Sequence, residues 1–154
     1  MKFTEFSLHE SLLQGIEGAG YVDCTPVQEQ VLKSSLEGRD FRDLVVWQKA
    51  MLLAEHVYTM LPCFPAEERF GLCDQLRRAV VSIPSNIAEG RGRDSAKDFA
   101  HFLHLAKGSL NEVMTQLELA FRFGYLSEYE KLSAEAEEIG KMLSSLIRRL
   151  RTES

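Results

Sequence analysis

Residues 70–90 read FGLCDQLRRAVVSIPSNIAEG, and their spacing decides the fold. Leu72, Leu76, Ala79, Ile83 and Ile87 recur at steps of three and four, which keeps them on one side of an α-helix. Pro84 falls inside that run. Proline lacks a backbone donor, and its ring presses on the carbonyl four residues earlier, here Val80, at about 3 kcal/mol in an ordinary helix interior. Ser82, Ser85 and Asn86 surround it with short polar side chains able to bond to freed backbone groups. The segment reads as a kinked helix whose strain is met locally, with Pro84, Asn86 and Glu89 as a structural motif. The competing reading is a ligand or partner site at the kink.

The same period runs outward in both directions. Leu44, Trp47, Met51, Ala54, Tyr58 and Leu61 form a stripe before this segment. Phe99, Leu103, Ala106, Leu110, Val113, Leu117 and Ala120 form one after it, and Tyr129, Leu132, Ala136, Ile139, Leu143, Leu146 and Leu150 another. Four such stripes joined by short connections predict an all-α, antiparallel up-down-up-down four-helix bundle over residues 41–154. Pro62 closes the first helix, and Pro65 suits the first position of the second, with Glu67 and Glu68 at its positive end. Gly90 and Gly92 are expected to break the chain after the second helix. Ser95 with Asp98, and Ser127 with Glu130, are spaced as capping boxes for the third and fourth. Gly124 falls where a left-handed residue ends the third. A Gly-Ser pair at 108–109 offers a place for close helix approach.

Further apolar positions flank the main stripes: Ala50, Leu53 and Val57 on the first helix, Phe102 and Leu105 on the third. They fit either a wide core-facing stripe or a subunit interface.

Charge limits the partners. The chain of 154 residues carries a formal −5. Residues 1–40 hold three basic and seven acidic side chains, and the remainder is nearly neutral at −1. A uniformly basic nucleic-acid binder is excluded, while a local basic face is not. Arg77, Arg78, Arg91, Arg93 and Lys97 are the candidate phosphate contacts around the second helix and its following loop, with Lys107, Arg122 and the group Arg148, Arg149 and Arg151 further along. On helices such cations are more often solvated or paired with acids. No apolar run approaches membrane-spanning length, and MKFTEFSLHE has acids where a secretion signal needs an apolar core, so no membrane partner and a cytoplasmic location are expected. Cys24, Cys63 and Cys73 lack paired-motif spacing and are expected to be reduced.

Candidate chemistry is sparse. Asp98, His101 and His104 step by three and rotate steadily round a helix, so they share no face well enough to hold a metal. No nucleophile has an evident base partner. The expectation is a chain without a catalytic centre, cofactor or metal.

Three segments carry a resemblance: FRDLVVWQKA, FGLCDQLRRAVVSIPSNIAEG and DFAHFLHLAKGSLNEVMTQLELAFRFGYL. Together they resemble the bacterial four-helix-bundle family that includes proteins encoded by intervening sequences within large-subunit ribosomal RNA genes. The accessory variability proteins of diversity-generating retroelements belong to the same family. The resemblance covers residues 41–150. It implies a ring-like homopentamer, and for the retroelement members an association with a reverse transcriptase and nucleic acid.

The first forty residues differ. FTEFSLHESLLQGIEGAGYVDCTPVQEQVLKSSLEGRD, residues 3–40, resembles the start of a DEAD-box RNA helicase, with GYVDCTPVQ matching the adenine-recognising Q motif. The resemblance implies that Gln28 bonds the adenine edge, Thr25 supports the phosphate loop and Phe3 stacks on the base. The chain then leaves the helicase pattern: FRDLVVW stands where a strand and a G-x-x-x-x-G-K-[ST] loop would follow, and no such loop occurs. Vestigial adenine contacts without phosphate or magnesium ligands do not support ATP hydrolysis. Read without the resemblance, Ser7 with Glu10 and Thr25 with Gln28 are capping boxes for two short helices, roughly 9–18 and 26–36, forming a helical hairpin ahead of the bundle.

Overall fold

A computed structural model describes residues 40–152. The predicted hairpin, and with it Phe3, Thr25 and Gln28, lies outside the described residues. A 3-10 turn at Phe41–Asp43, capped by the Asp40 carboxylate on the Arg42 amide at 3.1 Å, leads into α1, Val45–Met60. Three long helices follow: α2, Leu72–Arg91; α3, Ala96–Arg122; α4, Tyr129–Thr152. Contacts between them show the direction of each. Gly90 near the end of α2 meets Phe99 and Phe102 at the start of α3. Glu118 near the end of α3 bonds Tyr129 at the start of α4, and Lys49 and His56 of α1 pair with Glu138 and Glu135 in reverse order on α4. The bundle is antiparallel throughout, and α1 and α3 each pack on α2 and α4, α2 on α3 most extensively.

The stripes of α2 and α3 are buried as the spacing requires, and that of α4 is too, with Tyr129, Leu146 and Leu150 at its margins. On α1 the flanking row lies deepest, as part of a wide core-facing stripe, while Leu61 of the main stripe is buried and Leu44, Trp47 and Ala54 pack at its margin. Ala50, Leu53 and Val57 are fully buried, whereas Met51 and Tyr58 of the main stripe are exposed. Both rows have helical spacing, so the period alone does not tell which one faces the partners. Ala50, Leu53 and Val57 therefore belong to the core of one bundle and are not available as a subunit surface. Of the flanking pair on α3, Phe102 is half-buried and Leu105 exposed.

The helix ends correct three further expectations. Pro65 precedes a separate 3-10 turn, Ala66–Glu68, and α2 begins only at Leu72. Glu68 still serves its positive end, accepting from the Leu72 amide at 3.1 Å. Gly90 does not break the chain: it is buried inside α2, and Gly92 is the residue that caps it. Ser95 accepts from the Asp98 amide at 3.0 Å as its spacing predicts. Ser127 is not the cap of α4, because the helix starts at Tyr129 and the Leu132 amide bonds to the Glu128 carbonyl. Gly124 ends α3 with φ +79°, the Tyr125 amide reaching the Ala120 carbonyl and the Gly124 amide that of Phe121. This is the Schellman arrangement, and it needs the left-handed residue that glycine supplies. At the Gly-Ser pair, no atom approaches the position of a Gly108 Cβ, while Ser109 bonds across to α2.

Candidate functional site

The helix α2 runs unbroken through the buried Pro84. Ser85 Oγ donates to the Val81 carbonyl at 2.8 Å, and Asn86 Nδ2 donates both to the Ser82 carbonyl at 2.8 Å and to Ser82 Oγ at 2.9 Å. Ser109 Oγ of α3 donates to the same Ser82 oxygen at 2.9 Å. These bonds reach the carbonyls of Val81 and Ser82, next to that of Val80, and they tie α2 to α3. Asn86 thus joins, through Ser82, the polar contact between α2 and α3. Glu89 stands apart from it, paired with Arg93.

The five candidate cations do not converge. Arg77 and Arg78 lie near the start of α2 and Arg91 at its end, about 21 Å apart at the rise of an α-helix. Arg78 is paired with Asp74 at 2.9 Å, and Arg93 with Glu89, both four residues apart on the chain. Arg93 also lies 4.8 Å above the Phe102 ring, and Arg91 lies 5.8 Å above that of Phe99. Both guanidinium groups lie against the rings that Gly90 also meets, and these contacts compete with any phosphate for them. Arg77 is half-buried in a hollow with Tyr58, Pro65 and Cys73. Burial pushes the Cys73 thiol up, and the Arg77 charge offsets that only in part. Lys97 is exposed one step into α3.

A different set of cations does come together. Lys107 of α3 and Lys141 and Arg148 of α4 line a groove of about 440 Å³ with Asn111, Ser144 and Glu137. Gly140 leaves its wall without a side chain. Lys107 Nζ donates to Ser144 Oγ at 2.9 Å, and at the end of the groove Arg151 lies 3.3 Å from His104 Nε2. Lys141 escaped the sequence reading, although Lys141, Ser144, Arg148 and Arg151 have helical spacing; that Lys107 faces them is a tertiary fact.

A smaller hollow of about 380 Å³ at the opposite end holds His56, Cys63, Tyr125 and Lys131. His56 Nδ1 lies 2.8 Å from Glu135. The imidazole is engaged with Glu135 and makes no hydrogen bond to the Cys63 thiol, so the two do not form a nucleophile–base pair. Among the described residues, no three His, Cys, Asp or Glu side chains converge as a metal site, and no helix is long and apolar enough to cross a membrane.

Residues 42–145 match the family described as 23S rRNA-intervening sequence protein. The chain belongs to that family. A solved structure from Bacteroides thetaiotaomicron, described as a protein of unknown function from the S23 ribosomal protein family, is similar at 31% identity and a TM-score of 0.63, covering 67% of this chain and 98% of that one. The family description names no reaction. The other similarity lies with helicases: 50% identity over 40 residues with the ATP-dependent RNA helicase CshA of Limosilactobacillus reuteri, and 44% over 39 residues with RhlB of Klebsiella pneumoniae. A weaker match, 29% over 125 residues, is with RhlB of Yersinia pestis. The chain spans 8% and 9% of the first two helicases and 26% of the third. The intervening-sequence family accounts for the bundle, and the helicase Q-motif region is what the N-terminal segment resembles.

Proposed function

We propose that this chain is a non-catalytic homo-oligomeric bundle, a pentamer by its family resemblance, that acts in the cytoplasm as an accessory or scaffold for nucleic acid or for an enzyme working on it, such as a reverse transcriptase. The observation that carries the reading is the apolar surface left outside the core. Val45 and Leu52 of α1, Val81 of α2, and Leu105 and Leu119 of α3 are each at least 40% exposed. Outward-facing branched side chains on several adjacent helices favour burial against another copy. Light scattering coupled to size-exclusion chromatography at micromolar concentration is expected to give a multiple of the 17.5 kDa chain mass. A monomer there overturns the reading. Leu52→Glu and Leu105→Glu, made separately, should lower the mass while leaving helix content intact.

The nucleic-acid half of the proposal is supported by the family description and by the cations at the α2–α3 turn, which an oligomer multiplies. Binding is expected to be sequence-independent and to weaken steeply between about 50 and 200 mM salt, since phosphate contacts release counterions. Arg91→Ala with Arg93→Ala separates the roles of those arginines: loss of binding at constant oligomer mass favours phosphate contact, and a changed mass places them in an interface.

A second reading rests on the helicase-like N-terminal segment and the 50% identity over 40 residues to a helicase. In it that segment engages or mimics helicase partners. Removal of residues 1–39 should then abolish co-sedimentation with a purified DEAD-box helicase, and unchanged co-sedimentation counts against it.

A further inference from the structure

The α3–α4 groove brings together cations that hold no carboxylate. Among the described residues Arg42, Lys49, Arg78, Arg93 and Arg122 each hold a carboxylate. In the groove Lys141 and Arg148 hold none, and Lys107 bonds a neutral hydroxyl. Glu137, four residues before Lys141, lines the far end without forming an ion pair with it, so the groove carries three positive charges against one negative. Concentrating unpaired like charges in one furrow costs free energy through repulsion, and an anion laid along it relieves that cost.

The geometry restricts the anion. Lys141 and Arg148 are seven residues apart, about 10 Å along α4, with Lys107 facing the interval between them from α3. Successive phosphates of one nucleic-acid strand advance about 3.4 Å along a duplex axis, so about three steps span that distance. The groove wall is lined by Leu110, Met114 and Gly140 and offers no aromatic ring on which a base could stack. Lys107 keeps two ammonium donors beyond the one given to Ser144, and Arg148 presents a fork suited to a phosphate.

We propose that the groove formed by Lys107, Lys141, Ser144 and Arg148 binds the phosphodiester backbone of a nucleic-acid strand, without reading its bases. This rests on the reading that the chain associates with nucleic acid, and it moves the contact away from the α2–α3 turn. Arg151 beside His104 extends the track toward the end of α4.

The test is fluorescence anisotropy of the full chain with labelled oligouridylate and with a mixed-sequence DNA duplex, at about 50 and 200 mM salt. The triple variant Lys107→Ala, Lys141→Ala, Arg148→Ala is expected to lose at least tenfold in affinity at the lower salt. Its salt dependence for the single strand should flatten by about two in logarithmic slope, the loss of three phosphate contacts. Lys141→Glu alone, an exposed change on a helix surface, should weaken binding several-fold with oligomer mass and melting unchanged. Lys107→Arg with Lys141→Arg should retain binding. Wild-type affinity in both the triple variant and Lys141→Glu, with loss in Arg91→Ala, Arg93→Ala, Lys97→Ala, overturns the groove and leaves the nucleic-acid reading standing. No binding of either probe by the wild type at the lower salt removes both.

Discussion

Gly90 of α2 lies so close to Phe102 of α3 that a methyl group added to the glycine would stand 2.6 Å from the phenylalanine Cβ and 2.9 Å from Cδ2 of Phe99. A Cβ is fixed by its backbone and cannot swing aside, so only separation of the two helices relieves the clash. Gly90→Ala gains about 1 kcal/mol in helix propensity but overpacks this α2–α3 contact. A net loss of about 2 kcal/mol is expected, measured as a lower urea midpoint at unchanged slope.

Gly108 is the counter-experiment. It sits in α3 with nothing within 4 Å of where a Cβ would be. Gly108→Ala should stabilise the chain by about 0.5–1 kcal/mol in the same assay. A loss there would mean that another surface approaches this turn of α3.

Gly124 has no such contact but holds φ +79°. Gly124→Ala keeps every bond of the α3 end and strains one residue into the left-handed region, at about 1 kcal/mol. Gly124→Asn should cost less than alanine, because asparagine tolerates that region better. Thermal melting of the two variants ranks them.

Tyr129 donates to the Glu118 carboxylate, and this bond, helped by Arg122, holds the Glu118 pKa below its usual value. The same bond raises the Tyr129 phenol. The signs are opposite in use. Glu118 contributes stability above the unfolded carboxylate pKa, lost as pH falls through the depressed folded value. Tyr129 contributes below the ordinary phenol pKa, lost as pH rises through the raised one. Carbon-detected NMR titration of Tyr129→Phe should show the Glu118 inflection moved upward; an unmoved inflection would show that Arg122 alone sets it.

Asn86 is the residue on which the surroundings of Pro84 depend. Asn86→Ala removes both bonds to Ser82 and should cost about 1–2 kcal/mol. Asn86→Asp keeps the shape but loses the amide donors, so it should do no better. Equal stability of the aspartate variant and the wild type would refute a donor role.

What was legible in the sequence follows from how many faces each helix offers. The main stripes of α2, α3 and α4 are the rows that pack. On α1 two apolar rows compete, and only the partners' positions show that Leu53 is inside and Met51 outside. Gly90 reads as a breaker because glycines end helices, whereas its close contact is made by a helix that the local spacing does not place. The cations were visible as residues, and three of their counter-ions stand at the spacing that pairs across one helical turn: Asp74 with Arg78, Glu89 with Arg93 and Glu118 with Arg122. The groove facing Lys107 depends on which sides of α3 and α4 meet, which no local pattern states.

Ser82 Oγ accepts from Asn86 on its own helix and from Ser109 on the next, which fills the acceptor capacity of one hydroxyl. Apolar ridges tolerate sliding, because a methyl group fits the neighbouring hole nearly as well. A hydroxyl bond between two helices does not. Shifting α3 along α2 by one turn, about 5.4 Å, would break the Ser109 bond and take one donor from Ser82. The trio therefore fixes the axial phase of the two helices, as a notch fixes a rod in its clamp, and it contributes more to the uniqueness of the packing than to its strength.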